Sequence, residues 1–559
     1  MCIRDRVNVR ITGDPAGLNY LINYRSDPRM IMRLMSIPLL DFNPTSYELE
    51  PALAKALPVK KEVTEGQYKD LISFTFEILE EAIWDDGTPI TGKDALFTIK
   101  AIYNPHNRSP YVGQFKIVNI EVEVDNPKKF TVYAEKYPIA EASIGTMELM
   151  PAHILDPDGV YDKLELATLM DSANKERFAN DESLRKLGEL FTSPEVMGHS
   201  GNLSGNGPYK LTKWITGQEL VLERKQNWWG DKFSANPHLR AIPEKVIFKV
   251  VPDFNAAMSL MRNEEIDLVN TVPYAEFDRM KEDAFFQEKF NFYEPSMFRH
   301  GYLLMNNSSP KLNDKKVRRA LAHLFDLEKI GETVFFGRKN QAATPIHPTK
   351  SYYRKDLPII QYDVEKAKTL LQEAGWTDSN NNGIVDKMID GSLQELNLEY
   401  LYVGGSSTLE NIGKVFKEDA RPAGVNIVLK AQDNRPTRIA QAQKKYELSV
   451  TSSSWYPLHK DLYQNWHSQG PTNKTAFGNV ETDALIEEIQ TTVDEDKLAI
   501  LYSKIQEMIY EEQPVIVINI GTERIMVNKK MSNISTTSIS PGFNLQHFGE
   551  AVPINVSNN

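Results

Sequence analysis

Hydrophobic residues along this chain recur with two periods, and the switching between them lays out a mixed α/β protein. In DLISFTFEILEEAIWDDGTPITGKDALFTIKAIYNP, Phe74, Phe76 and Ile78 fall on one face of an extended segment, the period-two pattern of a half-buried strand. Asp85-Asp86-Gly87 follows as a turn, Gly87 supplying the backbone freedom. Thr91 with Asp94 three residues on forms a capping box, which predicts a helix from about Gly92 through Ala101, ended before Pro105. Val246, Phe248 and Val250 alternate up to Pro252, and a helical run through Ala256, Met258 and Met261 comes next. Val317, Ala320, Leu321 and Leu324 space a further helix and place Arg318 and Arg319 on its outer side. Ala367, Leu370, Leu371 and Ala374 space another, capped by Gly375. PVIVINIG, Pro514 to Gly521, reads as one buried strand. The apolar stripes read as core, so mixed sheets with helices packed on them are expected.

The chain has 559 residues, 41% hydrophobic and 25% charged, which is enough apolar material for two or three packed lobes and too much for disorder. No apolar run approaches the roughly 18 residues of a membrane-spanning helix. The net charge of -12 argues against nucleic acid, whose binding needs a basic surface. Cys2 is the only cysteine, so disulfides, Cys zinc sites and Cys nucleophiles are excluded from the body. The Gly- and Ser-rich GHSGNLSGNG, Gly198 to Gly207, is the clearest loop and the expected crossing between lobes.

No catalytic motif is visible. Gly198-His199-Ser200-Gly201 continues with Asn202 and is no nucleophile elbow, HExxH is absent, and Gly92-Lys93 and Gly413-Lys414 do not belong to phosphate loops. Acid pairs such as Asp85-Asp86, Glu264-Glu265 and Glu487-Glu488 point to opposite strand faces or to water. TDSNNNGIVDK places Asp378, Asn380, Asn382, the Ile384 carbonyl and Asp386 like the first part of a calcium loop, but its twelfth position is Ile389 where a closing Glu is needed. An Asn-rich turn is the preferred reading, and neither a metal nor a cofactor is expected.

Taken in order, several stretches resemble the extracellular solute-binding family of the oligopeptide, dipeptide and nickel ABC importers, family 5. They are LEPALAKALP, AIWDDGTPITGKDALFTI, GNGPYKLTKW, LVLERKQNWWGD, VIFKVVPDFNAAMSLMRNEEIDLV, LLMNNSSPKLNDKKVRRALAHLFD, YDVEKAKTLLQEAGW and GNVETDALIEEI. The resemblance implies an α/β, periplasmic-binding-protein-like fold (type II, cluster C): a two-lobed cleft with an extra accessory domain. Lobe I would comprise residues 7–45, 205–295 and 514–559, accessory lobe II residues 46–204, and lobe III residues 296–513. Lobes I and III would close on the ligand, shifting the population toward the closed state, with a dissociation constant on the order of 1 μM. The partners implied are a peptide or other small solute and membrane permease subunits, with the protein monomeric and held at the cell envelope, periplasmic or at the surface, by a lipidated N-terminus. A cleft hydrolase and a chaperone-like envelope protein are the competing classes.

Two stretches match the family's ligand-lining segments: NYRSDP, with Tyr24, Arg25 and Ser26, and SSSWYPLHKD, with Ser454, Trp455, Tyr456, Leu458 and His459. Peptide-binding members of the family carry WxxDY in the second, where the Asp neutralises the ligand's ammonium; this chain has Leu458 at that position. A free-amine dipeptide is therefore disfavoured unless Asp461 or another acid substitutes. Arg25 is placed either to hold a carboxylate or to face water. Trp455 and Tyr456 are placed either to stack on a planar or sugar-like ligand or to pack the cleft wall. The family's LDP is Leu18-Asn19-Tyr20 here.

The opening MCIRDR supplies none of the export signal and lipid-attachment Cys that the family implies. Its reverse translation can read ATGTGTATAAGAGACAG, the end of a transposon adapter used in sequencing. Residues 1–6 are therefore expected to be adapter read as protein, with the natural start upstream.

Overall fold

The strand, turn and capped helix expected around residues 72–101 are all present in the computed structural model, which describes residues 6–22, 26–201, 205–454, 457, 462–492 and 494–550. Ile72–Glu77 is a strand with Phe74 and Phe76 buried, and Gly87 turns the chain at a φ of 87°. The helix runs Gly92–Tyr103. Asp94 Oδ2 accepts from the Thr91 amide at 2.9 Å, completing the capping box, and its Oδ1 accepts from the Ala152 amide at 3.0 Å. One buried carboxyl thus closes a helix end and ties it to the short helix Ala152–Leu155.

The chain divides into two compact units, residues 1–295 with 523–559, and residues 296–522. The first holds residues assigned above to both lobe I and lobe II, and it has more than one core. A seven-stranded sheet runs in the order Phe290–Tyr293, Ile525–Asn528, Leu268–Val269, Arg6–Ile11, Lys245–Val250, Glu219–Arg224, Tyr209–Ile215. Its inner strand Arg6–Ile11 pairs in parallel with Lys245–Val250, Val9 facing Phe248, and both are fully buried. A four-stranded antiparallel sheet, Val59–Glu62, Ile72–Glu77, Lys129–Ala134 and Ile117–Val122, backs a separate core around Phe74, Phe76 and Phe130.

The described part of the Gly- and Ser-rich loop is tied to the helix end at residues 35–37. Asn206 Oδ1 accepts from the Ile37 amide at 2.7 Å, its Nδ2 donates to the Ile37 carbonyl at 2.9 Å, and the Gly207 amide donates to the Met35 carbonyl at 2.8 Å. The approach is so close that a Cβ on Gly207 would stand 2.6 Å from the Met35 carbonyl carbon. Glycine is required there by backbone contact.

The second unit is built on a five-stranded mixed sheet in the order Asn426–Gln432, Asn397–Val403, Leu448–Ser454, Ser296–Met305, Val515–Thr522. PVIVINIG forms the last of these and is buried along nearly its whole length. Residues 514–522, assigned to lobe I in the sequence division, thereby supply an edge strand of this unit through pairing with Ser296–Met305.

One expectation is corrected. Val317, Ala320, Leu321 and Leu324 are buried on the helix Lys315–Leu324 as the spacing predicts, but Arg318 is not on an outer side: it is 2% exposed. Its Nη2 donates to the Glu512 carbonyl at 2.6 Å and reaches the Glu512 carboxylate at 3.0 Å, and its Nε donates to the same carbonyl at 2.9 Å. Arg319 Nη1 donates to the Tyr510 carbonyl at 2.9 Å. Both guanidiniums satisfy the unpaired carbonyls that end the helix Glu495–Glu512, where a cation is also favoured by the helix dipole.

Candidate functional site

Tyr24 and Arg25 lie outside the described residues, and Ser26 opens the helix Ser26–Met35. In the second expected segment, Ser454 ends the strand Leu448–Ser454 and is exposed, while Trp455, Tyr456, Leu458, His459 and Asp461 lie outside the described residues. The sheet whose strand ends at Ser454 carries a polar site of its own.

Leu448–Ser454 runs antiparallel to Ser296–Met305, with Thr451 opposite Tyr302 and Ser453 opposite His300. Side chains alternate along a strand, so Phe298, His300 and Tyr302 share a face with Thr451 and Ser453. The His300 ring stacks on Tyr302 with centroids 5.7 Å apart and meets His347 edge-on at 5.3 Å. His347 Nε2 lies 3.2 Å from the Met297 carbonyl and its Nδ1 2.8 Å from the Thr349 hydroxyl. A carbonyl only accepts, so the proton sits on Nε2 and Nδ1 is the acceptor. Burial pushes the His347 pKa down to about 4 and that of Lys350 down to about 7, the Lys350 ammonium standing 5.0 Å from the centre of the Phe298 ring.

Tyr302 also lines a cavity of about 80 Å³, together with Thr451, Ser452, Ser453, Asn465, Thr472, Lys474 and the Trp466 ring. Lys474 Nζ donates to Gln441 Oε1 at 3.0 Å and to the Thr451 hydroxyl at 3.3 Å. The Gln441 amide is fixed in that orientation, since its Nε2 donates to Ser449 Oγ at 3.0 Å and to the Val450 carbonyl at 3.2 Å. The loop carrying Lys474 is fixed as well: the Tyr446 hydroxyl donates to the Lys474 carbonyl at 2.7 Å, and Asn473 Nδ2 donates to the carbonyls of His467 and Phe477. Burial, with the nearby Arg438 charge adding to it, lowers the Lys474 pKa.

Sequence reasoning passed over Lys474 and Gln441. A lysine in PTNKTAFGN reads as solvated, and nothing local reveals that a glutamine 33 residues upstream will receive it.

The Asn-rich loop spends its acids on its own backbone. Asp378 Oδ1 accepts from the Asn382 amide and its Oδ2 from the Gly383 amide, and Asp386 Oδ2 accepts from the Ser379 amide. Among the described residues no group of three or more His, Cys, Asp or Glu side chains is placed to hold a metal, and no helix is long and apolar enough to cross a membrane.

Comparison with known proteins assigns the family. Residues 48–474 match the model of bacterial extracellular solute-binding proteins, family 5 Middle. The oligopeptide-binding protein AppA of Bacillus subtilis is 28% identical over 319 residues, a match spanning 56% of this chain and 55% of that protein. The periplasmic oligopeptide-binding protein OppA of Salmonella typhimurium is 23% identical over 468 residues, 80% of this chain and 76% of that protein. Among solved structures, AppA of Bacillus subtilis in complex with a nonapeptide superposes with a TM-score of 0.72 at 21% identity, covering 98% of this chain and 99% of that one. NikA of Brucella suis in complex with Fe(III)-EDTA gives 0.77 at 19% identity over 98% and 100%. The α/β binding-protein fold expected from the sequence is thus the fold of this chain, which belongs to the bacterial extracellular solute-binding proteins, family 5.

Proposed function

We propose that this protein captures a peptide or peptide-like solute outside the cytoplasmic membrane and delivers it to the permease of an ABC importer. The observation that carries this reading is the family match over residues 48–474, supported by the sequence similarity to AppA and OppA, both oligopeptide-binding proteins. In this reading the protein is a binder without catalytic activity, monomeric, periplasmic or on the cell surface, and anchored by a lipidated N-terminus. Its three lobes follow the sequence division, with residues 514–522 moved from lobe I to lobe III, and Tyr24, Arg25, Ser26, Ser454, Trp455, Tyr456, Leu458 and His459 line the ligand.

A dedicated non-peptide solute is the second reading. It is favoured by Leu458, which stands where peptide-binding members of the family carry an ammonium-pairing Asp. Native mass spectrometry of gently purified protein separates the two. A ladder of peptide masses supports peptide capture, and one recurrent small mass supports the dedicated solute. Trp455→Ala should then weaken the identified ligand by about tenfold or more, and unchanged affinity would remove Trp455 from the site.

A further inference from the structure

We propose that the cavity beside Tyr302 is a subsite for a carboxylate of the bound solute, with Lys474 as its charge partner. The inference rests on the peptide-capture reading and adds a specificity to it that neither the family match nor the lining segments assign.

The lining has one sign of charge. Among the described residues around the cavity Lys474 is the one ionised group, none is acidic, and the rest are hydroxyls, an amide, aromatic rings and aliphatic groups. Among the described residues Lys474 takes part in no ion pair, and the charge of Arg438 acts on it repulsively. An ammonium left half-buried without a counter-ion among the described residues is unfavourable, and a ligand carboxylate would supply the missing charge.

The donors are already set. An ammonium carries three protons, and Gln441 and Thr451 account for two of them. The Thr451 hydroxyl accepts from Lys474 and so keeps its own proton to give. Lys474 and Thr451 together can therefore present two donors to one carboxylate, the arrangement that makes a charge-assisted pair strong. Gln441 serves as a positioning residue: locked by Ser449 and Val450, it holds the ammonium at the cavity wall. A space of about 80 Å³ admits a carboxylate with a short stem.

Two parts of a peptide could supply the group, its C-terminus or an acidic side chain. Calorimetric titration with three pentapeptide libraries randomised over Ala, Ser, Leu and Phe distinguishes them: free acids, C-terminal amides, and amides carrying one Glu. The wild type should bind one of the two carboxylate-bearing libraries at least about tenfold tighter than the plain amides, and which one identifies the source. Lys474→Gln should abolish that preference and Lys474→Arg should keep part of it, both unfolding at the wild-type temperature. A preference that survives in Lys474→Gln, or wild-type binding that ignores the carboxylate, overturns the subsite alone. Absence of wild-type binding to all three libraries overturns the peptide reading and the subsite with it.

Discussion

Arg318 donates twice to the carbonyl of Glu512, so a guanidinium from one helix seals the C-terminal end of another 194 residues away. Burial lowers the Arg318 pKa while the Glu512 carboxylate opposes that shift. Removing the side chain leaves buried carbonyls unpaired as well as a cavity. Arg318→Ala should cost about 3 kcal/mol in urea unfolding, Arg318→Lys nearly as much because an ammonium lacks the fork, and Arg319→Ala clearly less. Equal losses for the two alanine variants would contradict this assignment.

Lys350 and His347 give the second unit a pH dependence of known sign. Both have folded pKa values below their ordinary ones, at about 7 and about 4. Between about 7 and about 10.5 the unfolded chain binds the Lys350 proton and the folded chain does not, so this group makes stability rise with pH across that window. His347 does the same between about 4 and about 6.5, and its contribution is lost as pH falls through that range. Lys350→Met keeps the stem over Phe298 and removes the charge. It should raise the urea midpoint at pH 7 by the equivalent of about 1–3 kcal/mol, and flatten the rise above pH 7. A variant less stable than wild type at pH 7 would show that the ammonium has a partner.

Gly207→Ala tests the pinned loop. The new methyl would meet backbone atoms of Met35 and Ser36, which cannot rotate away as a side chain would. A loss of about 2–4 kcal/mol in chemical unfolding is expected. Gly66→Ala is the control for mere loss of glycine: it turns at a φ of 79° but has open space around it, so only backbone strain of about 1 kcal/mol applies.

The contrast between Asp94 and Arg318 explains what could be read from the sequence. Asp94 caps a helix whose start lies three residues away, and the chemistry of capping is local enough to be written in TPITGKD. Arg318 answers the needs of carbonyls far downstream, and on a helical wheel it looks like any solvated arginine. The Lys474 cavity was hidden for the same reason: Tyr302 and Thr451 meet through the sheet register, while Gln441 on a helix and Lys474 on a loop reach them through side-chain hydrogen bonds. The expected ligand segments rest on resemblance alone, because no periodicity points to them.

The second unit is one uninterrupted stretch of chain, and its ends close on both sides of the cut. Ser296 and Thr522 are register partners within its sheet, and in the first unit the Glu523 amide donates to the Pro295 carbonyl at 3.0 Å. Such a stretch behaves as an insertion, a self-contained cassette whose exit and re-entry points already touch. Residues 296–522 are expected to fold when expressed alone, and residues 1–295 to accept rejoining to 523–559 by a linker of a residue or two. A cassette of this kind can pass from chain to chain through a single joining point.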